Sequence, residues 1–340
     1  MIAVIGIAGA KVKVKLGIPE KKPEVHEHEL IQDVPPEMSY AYEEAMRSRD
    51  ELWDGVGREQ GVFGGYDSVE PENGDEITTE FRGTAYKVAC HLAEAGEKVK
   101  FISLAGKDLM GDALSCDLEE RGVDTSCLRK VEGKTPVEVQ VVNFLNDLQF
   151  SRADGVLGDS LTPEIIDEYS EVLTGASAVM VDGTLPERTL QHISDVYGGK
   201  TKIVFDPGTL GGAEKVKLRK SDALSGMYCI VPGRMEAETM CGRSILGRDK
   251  LAEAAGLFID KGVKMTVITM KGGGLYYSTG EEENIIKPER VLGFAEPEGA
   301  GDVLTAAVVR GVAQKLAPGE ICSRAMEVTA DYLKDIKDEF

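Results

Sequence analysis

The stretch Glu298-Gly299-Ala300-Gly301-Asp302-Val303-Leu304 decides how this chain is read. Two glycines flank an alanine at the predicted start of a helix, whose apolar face runs through Leu304, Ala307, Val308, Gly311 and Val312. Small residues at a helix N-terminus let an anion approach the backbone, where unpaired N–H groups and the helix dipole favour negative charge. Asp302 falls in the first turn. A carboxylate there can accept a proton from an attacking hydroxyl during phosphoryl transfer. The same residues also fit a plain glycine-rich turn with an ordinary first-turn aspartate, so the surrounding chain must discriminate between the two.

Outward from this stretch the pattern alternates between buried strands and amphipathic helices. Met1 to Gly6 reads as a fully buried strand, and Lys11 to Lys15 as a half-exposed one with period two. Thr84 opens a helix with Gly96 where a C-cap belongs. Val99–Leu104, Ala178–Val181, Ile203–Phe205, Tyr228–Val231 and Met265–Met270 read as strands. Helices are expected at Leu109–Arg121, Pro186–Val196, Asp249–Lys261 and Ala300–Leu316. Leu275–Ser278 and Asn284–Lys287 form a hairpin around Gly280, and Val137–Phe150 is strand-like with a turn at Asn146-Asp147. Such alternation implies a three-layer α/β/α fold with a mainly parallel central sheet. We expect one α/β domain over residues 1–340, with a small β lid or excursion from about 11–80 and 135–152. Within it, Ser39–Leu52 is expected to be an exposed helix.

Composition narrows the function classes. The net charge of −20 argues against a nucleic-acid partner. The apolar N-terminus is only ten residues long and lacks a preceding basic region, which fits a strand rather than a signal or a membrane span. The six cysteines (Cys90, Cys116, Cys127, Cys229, Cys241, Cys322) include no Cys-x-x-Cys pair, so reduced thiols and a cytoplasmic location are expected. His26-Glu27-His28 does not complete a metal site. A dinucleotide fingerprint at Ile5–Gly9 fails, because the full Gly-x-Gly-x-x-Gly spacing is absent.

Several further segments fall in order around Gly299–Asp302. They are Arg82-Gly83-Thr84-Ala85-Tyr86-Lys87, Gly106-Lys107-Asp108 to Gly111-Asp112, Phe205-Asp206-Pro207, Val231-Pro232-Gly233-Arg234-Met235-Glu236 and Thr269-Met270-Lys271-Gly272-Gly273-Gly274. Together they resemble the PfkB (ribokinase-like) family of carbohydrate and nucleoside kinases, over about residues 81–330. Leu161-Thr162-Pro163-Glu164 and the Asp206-Pro207 region look closest to the pseudouridine kinase branch. The resemblance implies an ATP- and Mg²⁺-dependent kinase. Asp302 would be the general base, and the N–H groups of Gly299, Ala300 and Gly301 the anion hole. Thr269, Gly272 and Gly274 would line the ATP site, with Glu236 acting on Mg²⁺ through water. Gly83 and Lys87, with Lys11 and Lys13, would fall at the substrate. The family's lid often mediates dimer contact, which implies a homodimer through the lid.

This sequence departs from the family pattern at the substrate end. Lys11, Lys13 and Lys87 stand where polar sugar-facing residues are usual, Glu296-Pro297-Glu298 precedes the anion hole, and Gly233 replaces an asparagine. Lysine has no acceptor and cannot receive a hydrogen bond from a sugar hydroxyl. Three accounts remain open. The lysines answer the new glutamates, or they bind an acidic or phosphorylated substrate, or the pocket has decayed into a binding or assembly site without activity.

Overall fold

The computed structural model describes residues 1–16, 75–143, 147–154, 157–270, 274–288 and 299–338. Its elements run in the order β1 (Ile2–Ile5), β2 (Gly9–Lys15), β3 (Glu76–Arg82), α1 (Thr84–Glu94), β4 (Val99–Gly106), α2 (Leu109–Glu120), β5 (Leu128–Val131), β6 (Val137–Val142) and β7 (Leu148–Asp154). Three short helices follow, α3 (Leu157–Ser160), α4 (Pro163–Asp167) and α5 (Ser170–Gly175). Then come β8 (Ala178–Asp182), α6 (Glu187–Tyr197), β9 (Ile203–Asp206), α7 (Leu210–Lys215), β10 (Cys229–Ile230), α8 (Arg234–Cys241) and α9 (Arg248–Asp260). The chain closes with β11 (Met265–Met270), β12 (Gly274–Ser278), β13 (Glu283–Ile286), α10 (Ala300–Ala313) and α11 (Pro318–Asp338). The expected helix at Ser39–Leu52, Gly272, and Glu296 to Glu298 lie outside the described residues.

The chain divides into two compact units. The first comprises Met1–Ala10, Phe81–Val137 and Asp154–Phe340; the second comprises Lys11–Glu80 and Glu138–Ala153. Among the described residues, nine strands form one sheet in the order β13-β12-β11-β10-β9-β8-β1-β4-β5. Pairing is parallel from β5 to β11 and antiparallel only at β11/β12 and β12/β13. β1 explains why the apolar run Ile-Ala-Val-Ile has no polar alternation. Ile2 and Val4 enter one core cluster, Ala3 and Ile5 the other, and all four are fully buried. Both faces are therefore covered, as parallel strands require. Six bounds of the four expected helices α2, α6, α9 and α10 shift by one to three residues from the sequence reading, since helix ends fray into turns. The helix after Leu316 was not expected at all. It begins with Pro318 and buries Ile321, Cys322, Ala325 and Met326 against the sheet's second face.

The second unit is built on a four-stranded sheet in the order β3-β2-β6-β7. Alternation gives it two unlike faces. Lys11 and Glu80 meet on one, with Nζ 2.8 Å from Oε1, and Glu138 accepts from Ser151 at 2.8 Å. The other carries the exposed apolar residues Ile77, Val139, Leu148 and Phe150, with the Arg152 guanidinium 4.8 Å from the centre of the Phe150 ring.

Candidate active site

Open parallel sheets gather ligands at the carboxyl ends of their strands. Here β8 ends in Asp182 and β9 in Asp206, which are register partners on neighbouring strands. Each carboxylate pins the first turns of a different helix. Asp182 Oδ2 accepts from the Ala85 N–H at 3.0 Å, at the head of α1. That helix has neither an acidic residue in its first turn nor a side-chain cap, so Asp182 supplies the missing acceptor from across the fold. Asp182 Oδ1 accepts from the Thr184 N–H at 2.9 Å and from its hydroxyl. Asp206 Oδ2 accepts from Thr305 Oγ1 at 2.5 Å, one turn into α10, and Oδ1 accepts from the Gly208 N–H at 2.8 Å. Below Asp182, Lys215 Nζ donates to the carbonyls of Gly183, Thr184 and Leu185, each at 3.0 Å, and so locks the loop after β8.

The two pinned helices bring together residues 215 positions apart. Lys87 on α1 lies with Nζ 3.9 Å from Oδ2 of Asp302 on α10, and both side chains are about four-fifths buried. Asp302 and Gly301 also line a cavity of about 390 Å³ with Thr84, Asp206, Gly233, Glu236, Thr269 and Thr305. Glu236 Oε2 accepts from the Gly233 N–H at 2.7 Å, closing the first turn of α8. The Thr269 N–H donates to Pro232 O at 3.0 Å and draws the end of β11 against that turn.

Burial sets the charge states. It pushes the Asp182 and Asp206 carboxyls up to about 6 each against the pull of their hydrogen bonds, and the Asp206 charge adds to the rise at Asp182. Burial and the Asp206 charge push Glu236 up to about 7. All three native carboxyls thus keep protons at pH values where the unfolded chain has released them. Their stabilising contribution is full below about pH 4 and is lost as pH rises through 6 to 7. Thermal denaturation at matched ionic strength should give a higher Tm at pH 5 than at pH 8, with part of the slope removed in Glu236→Gln. A Tm that rises from pH 5 to 8 would contradict these environments.

The glycines of the stretch 299–301 differ in what demands them. Gly299 caps α10 at φ 103°, and a Cβ there would lie 2.6 Å from Tyr332 Oη of α11. A side chain at this φ is strained, so Gly299→Ala should cost ~1–3 kcal/mol and lower Tm and turnover together; an unchanged Tm would show that the turn relaxes freely. Gly301 is exposed, and a Cβ there would meet nothing within 4 Å. The space over this first-turn backbone is open towards the cavity, as a phosphate cradle needs to be. A phosphate-bearing nucleotide therefore fits these residues. For Mg²⁺ there is no ready protein cage: among the described residues no group of three or more His, Cys, Asp or Glu could hold a metal. The carboxyl groups of Asp206 and Glu236 in the same cavity nevertheless suit an ion that keeps its waters and takes one or two protein oxygens.

Of the residues expected at the site, Thr269, Glu236, Gly301 and Asp302 share one cavity, with Lys87 beside Asp302 and with Gly299 and Ala300 heading the same helix. Others carry structural demands of their own. Gly83 takes φ 119°, and a Cβ there would lie 2.7 Å from Ile7 O, so internal packing already demands glycine. Gly274 does not line the cavity; it takes φ 87° because the Ile286 carbonyl of β13 approaches too closely for any side chain. Lys11 and Lys13 lie in the second unit, and Lys11 answers Glu80 of its own sheet. Sequence reasoning missed Asp182, Lys215, Thr305 and Tyr332. Asp182 had a signal, since Val-Met-Val-Asp at the end of β8 parallels Val-Phe-Asp at the end of β9.

A family model described as pfkB family carbohydrate kinase matches residues 60–330. The pseudouridine kinase of Escherichia coli (strain K12) is 26% identical over 225 residues, 66% of this chain and 70% of that protein. The 2-dehydro-3-deoxygluconokinase of Bacillus subtilis (strain 168) is 23% identical over 272 residues, 75% of this chain and 82% of that one. Among solved structures, Arabidopsis thaliana ribokinase complexed with ribose and ATP superposes with a TM-score of 0.72 at 15% identity, covering 98% of this chain and 92% of that one. No helix among the described residues is long and apolar enough to cross a membrane. With a family model spanning most of its length, a matching fold, and an aspartate at the glycine-rich head of α10 facing a cavity, the chain belongs to the pfkB family of carbohydrate kinases.

Proposed function

We propose that this protein is an ATP- and Mg²⁺-dependent phosphotransferase acting on a hydroxyl of a sugar, nucleoside or related small molecule. The observation that carries the reading is the placement of Asp302 and the open Gly301 cradle on one cavity with Thr269 and Glu236. ATP supplies the phosphoryl group. The N–H groups of Gly299, Ala300 and Gly301 bind its migrating oxygens, Asp302 takes the proton of the acceptor hydroxyl, and Glu236 acts on Mg²⁺ through water. The alternative, a binding protein without activity, draws on the lysines at 11, 13 and 87 and on Glu298.

The relatives' names span a nucleoside and a sugar acid, so the acceptor panel should contain both classes beside neutral sugars. Purified protein is mixed with Mg-ATP and each acceptor, and ADP release is followed. Release above the ATP-only control with at least one acceptor is expected. Failure to bind ATP in calorimetry would sink the reading.

We also propose that the second unit is a lid, and that two copies of the chain pair through its apolar face. Ile77, Val139, Leu148 and Phe150 are exposed on that face, and burying them offers roughly 1–2 kcal/mol each. Light scattering should report a dimer for the native chain and a monomer for Leu148→Ser with Phe150→Ser. A native monomer at micromolar concentration would end this idea. The free cysteines, five of them buried, support a cytoplasmic location.

A further inference from the structure

We propose that Lys87 is a catalytic residue which, together with Asp302, holds the phosphoryl-accepting hydroxyl oxygen between its Nζ and Oδ2. The proposal rests on the kinase reading above and adds a role to it. The 3.9 Å between the two atoms is too long for a hydrogen bond between them. One oxygen fits in that span, at about 2.8 Å from each atom and with an angle of about 90° at the oxygen. Such an oxygen would receive a hydrogen bond from the ammonium and donate its own proton to the carboxylate. Both side chains are largely removed from water, at 22% and 18% exposure, so a fixed charge acts there with less screening than at the surface.

The gap is also held rigidly. α1, which carries Lys87, is pinned through the Ala85 N–H to Asp182; α10, which carries Asp302, is pinned through Thr305 to Asp206. The two carboxylates are register partners on adjacent strands. Preorganisation of this kind is what makes a charged donor effective against a developing negative charge.

The hydroxyl oxygen forms a bond to the γ-phosphorus, and the bond from that phosphorus to the bridging oxygen breaks, with its electron pair leaving on the nucleoside diphosphate. The hydroxyl proton passes to Asp302. Lys87 keeps its proton throughout and stabilises the negative charge that grows on the attacking oxygen. Other titratable groups around Asp302 are Asp206 on β9 and Glu236 on α8, which line the same cavity. Tyr332 on α11 lies beside Gly299, and its ring meets His91 of α1.

The full-length protein is tested with Mg-ATP and two acceptors, the best one from the panel and water alone. Lys87→Ala should lower kcat about 10²- to 10³-fold with the KM for ATP within twofold. The acid limb of kcat/KM should move to higher pH, because Asp302 loses its cationic neighbour. Millimolar methylamine should restore part of kcat, and larger amines less; Lys87→Arg should retain more activity than Lys87→Met. If kcat instead falls only in step with Tm and no amine rescues it, the pair is a structural ion pair and the proposal is overturned. An independent readout needs no turnover: carbon-13 NMR of aspartate-labelled protein, with Asp302 assigned through Asp302→Asn. The Asp302 carboxyl should titrate at higher pH in Lys87→Met than in the native chain, and an unchanged titration overturns the proposal. If the native protein does not bind ATP, the kinase reading fails and takes this role with it. ATP binding with unaffected Lys87 variants removes the Lys87 assignment alone.

Discussion

Asp302→Asn should lower kcat about 10³-fold while leaving the KM for ATP and Tm nearly unchanged. General-base transfer by a positioned carboxylate is worth roughly 10²–10⁴ in rate, and asparagine keeps the shape but cannot take the proton. Fold should survive, because Asp302 is partly exposed and α10 is secured elsewhere, one turn in, by Thr305 on Asp206. Lys87 would lose a charged neighbour but stay near the amide oxygen. Steady-state rates with the best acceptor, alongside ATP titration calorimetry, separate the two effects. A kcat within tenfold of native would remove Asp302 from the role of base, whereas a parallel loss of ATP affinity would make it a binding residue.

The largest stability effect is expected at a residue that touches no substrate in this account. Asp182→Ala deletes the acceptor of three donors, the N–H groups of Ala85 and Thr184 and the Thr184 hydroxyl, in a fully buried position. Each orphaned buried donor costs about 1–3 kcal/mol, so a loss of ~4 kcal/mol is reasonable after partial relaxation. Asp182→Asn should recover only part of this, since its amide nitrogen must face one set of donors. Gly6 sharpens the point: a Cβ there would lie 2.5 Å from Asp182 Oδ2, so the carboxylate sits in a closely fitted slot. Turnover should fall with stability, because α1 carries Lys87. Urea unfolding gives the magnitude, and a loss under 1 kcal/mol would show that water replaces the carboxylate.

The legible and illegible parts of the molecule divide along physical lines. Periods of 3.6 and 2 are local, so Thr84–Glu94, Met265–Met270 and the β12/β13 hairpin could be read from neighbouring residues alone. The head of α10 was legible because glycine, alanine and aspartate in that order serve a local geometry. α11 was missed although Pro318 is a helix-start signal, because its apolar stripe is short beside its many charges. Asp182 was missed because an aspartate at a strand end looks like a turn residue until the strands are paired. The partners of Lys11 and Lys87 were beyond local reasoning, as Glu80 and Asp302 lie 69 and 215 positions away.

The register of Asp182 with Asp206 carries a last consequence. Neighbouring strands in any sheet stand about 4.8 Å apart, a spacing set by backbone hydrogen bonds and indifferent to side chains. Both helices that carry the proposed reacting groups, Lys87 and Asp302, take their footing from this fixed interval. The sheet therefore works as a gauge block for the active site. Solvent-facing positions of segment 183–202, which joins the two strands, can change without altering that interval, provided its buried residues Leu185, Leu190, Ile193 and Tyr197 and the Lys215 anchor at 183–185 are kept. Variants altered at those solvent-facing positions should stay in tune, whereas a one-residue slip of β9 against β8 would detune the site at once.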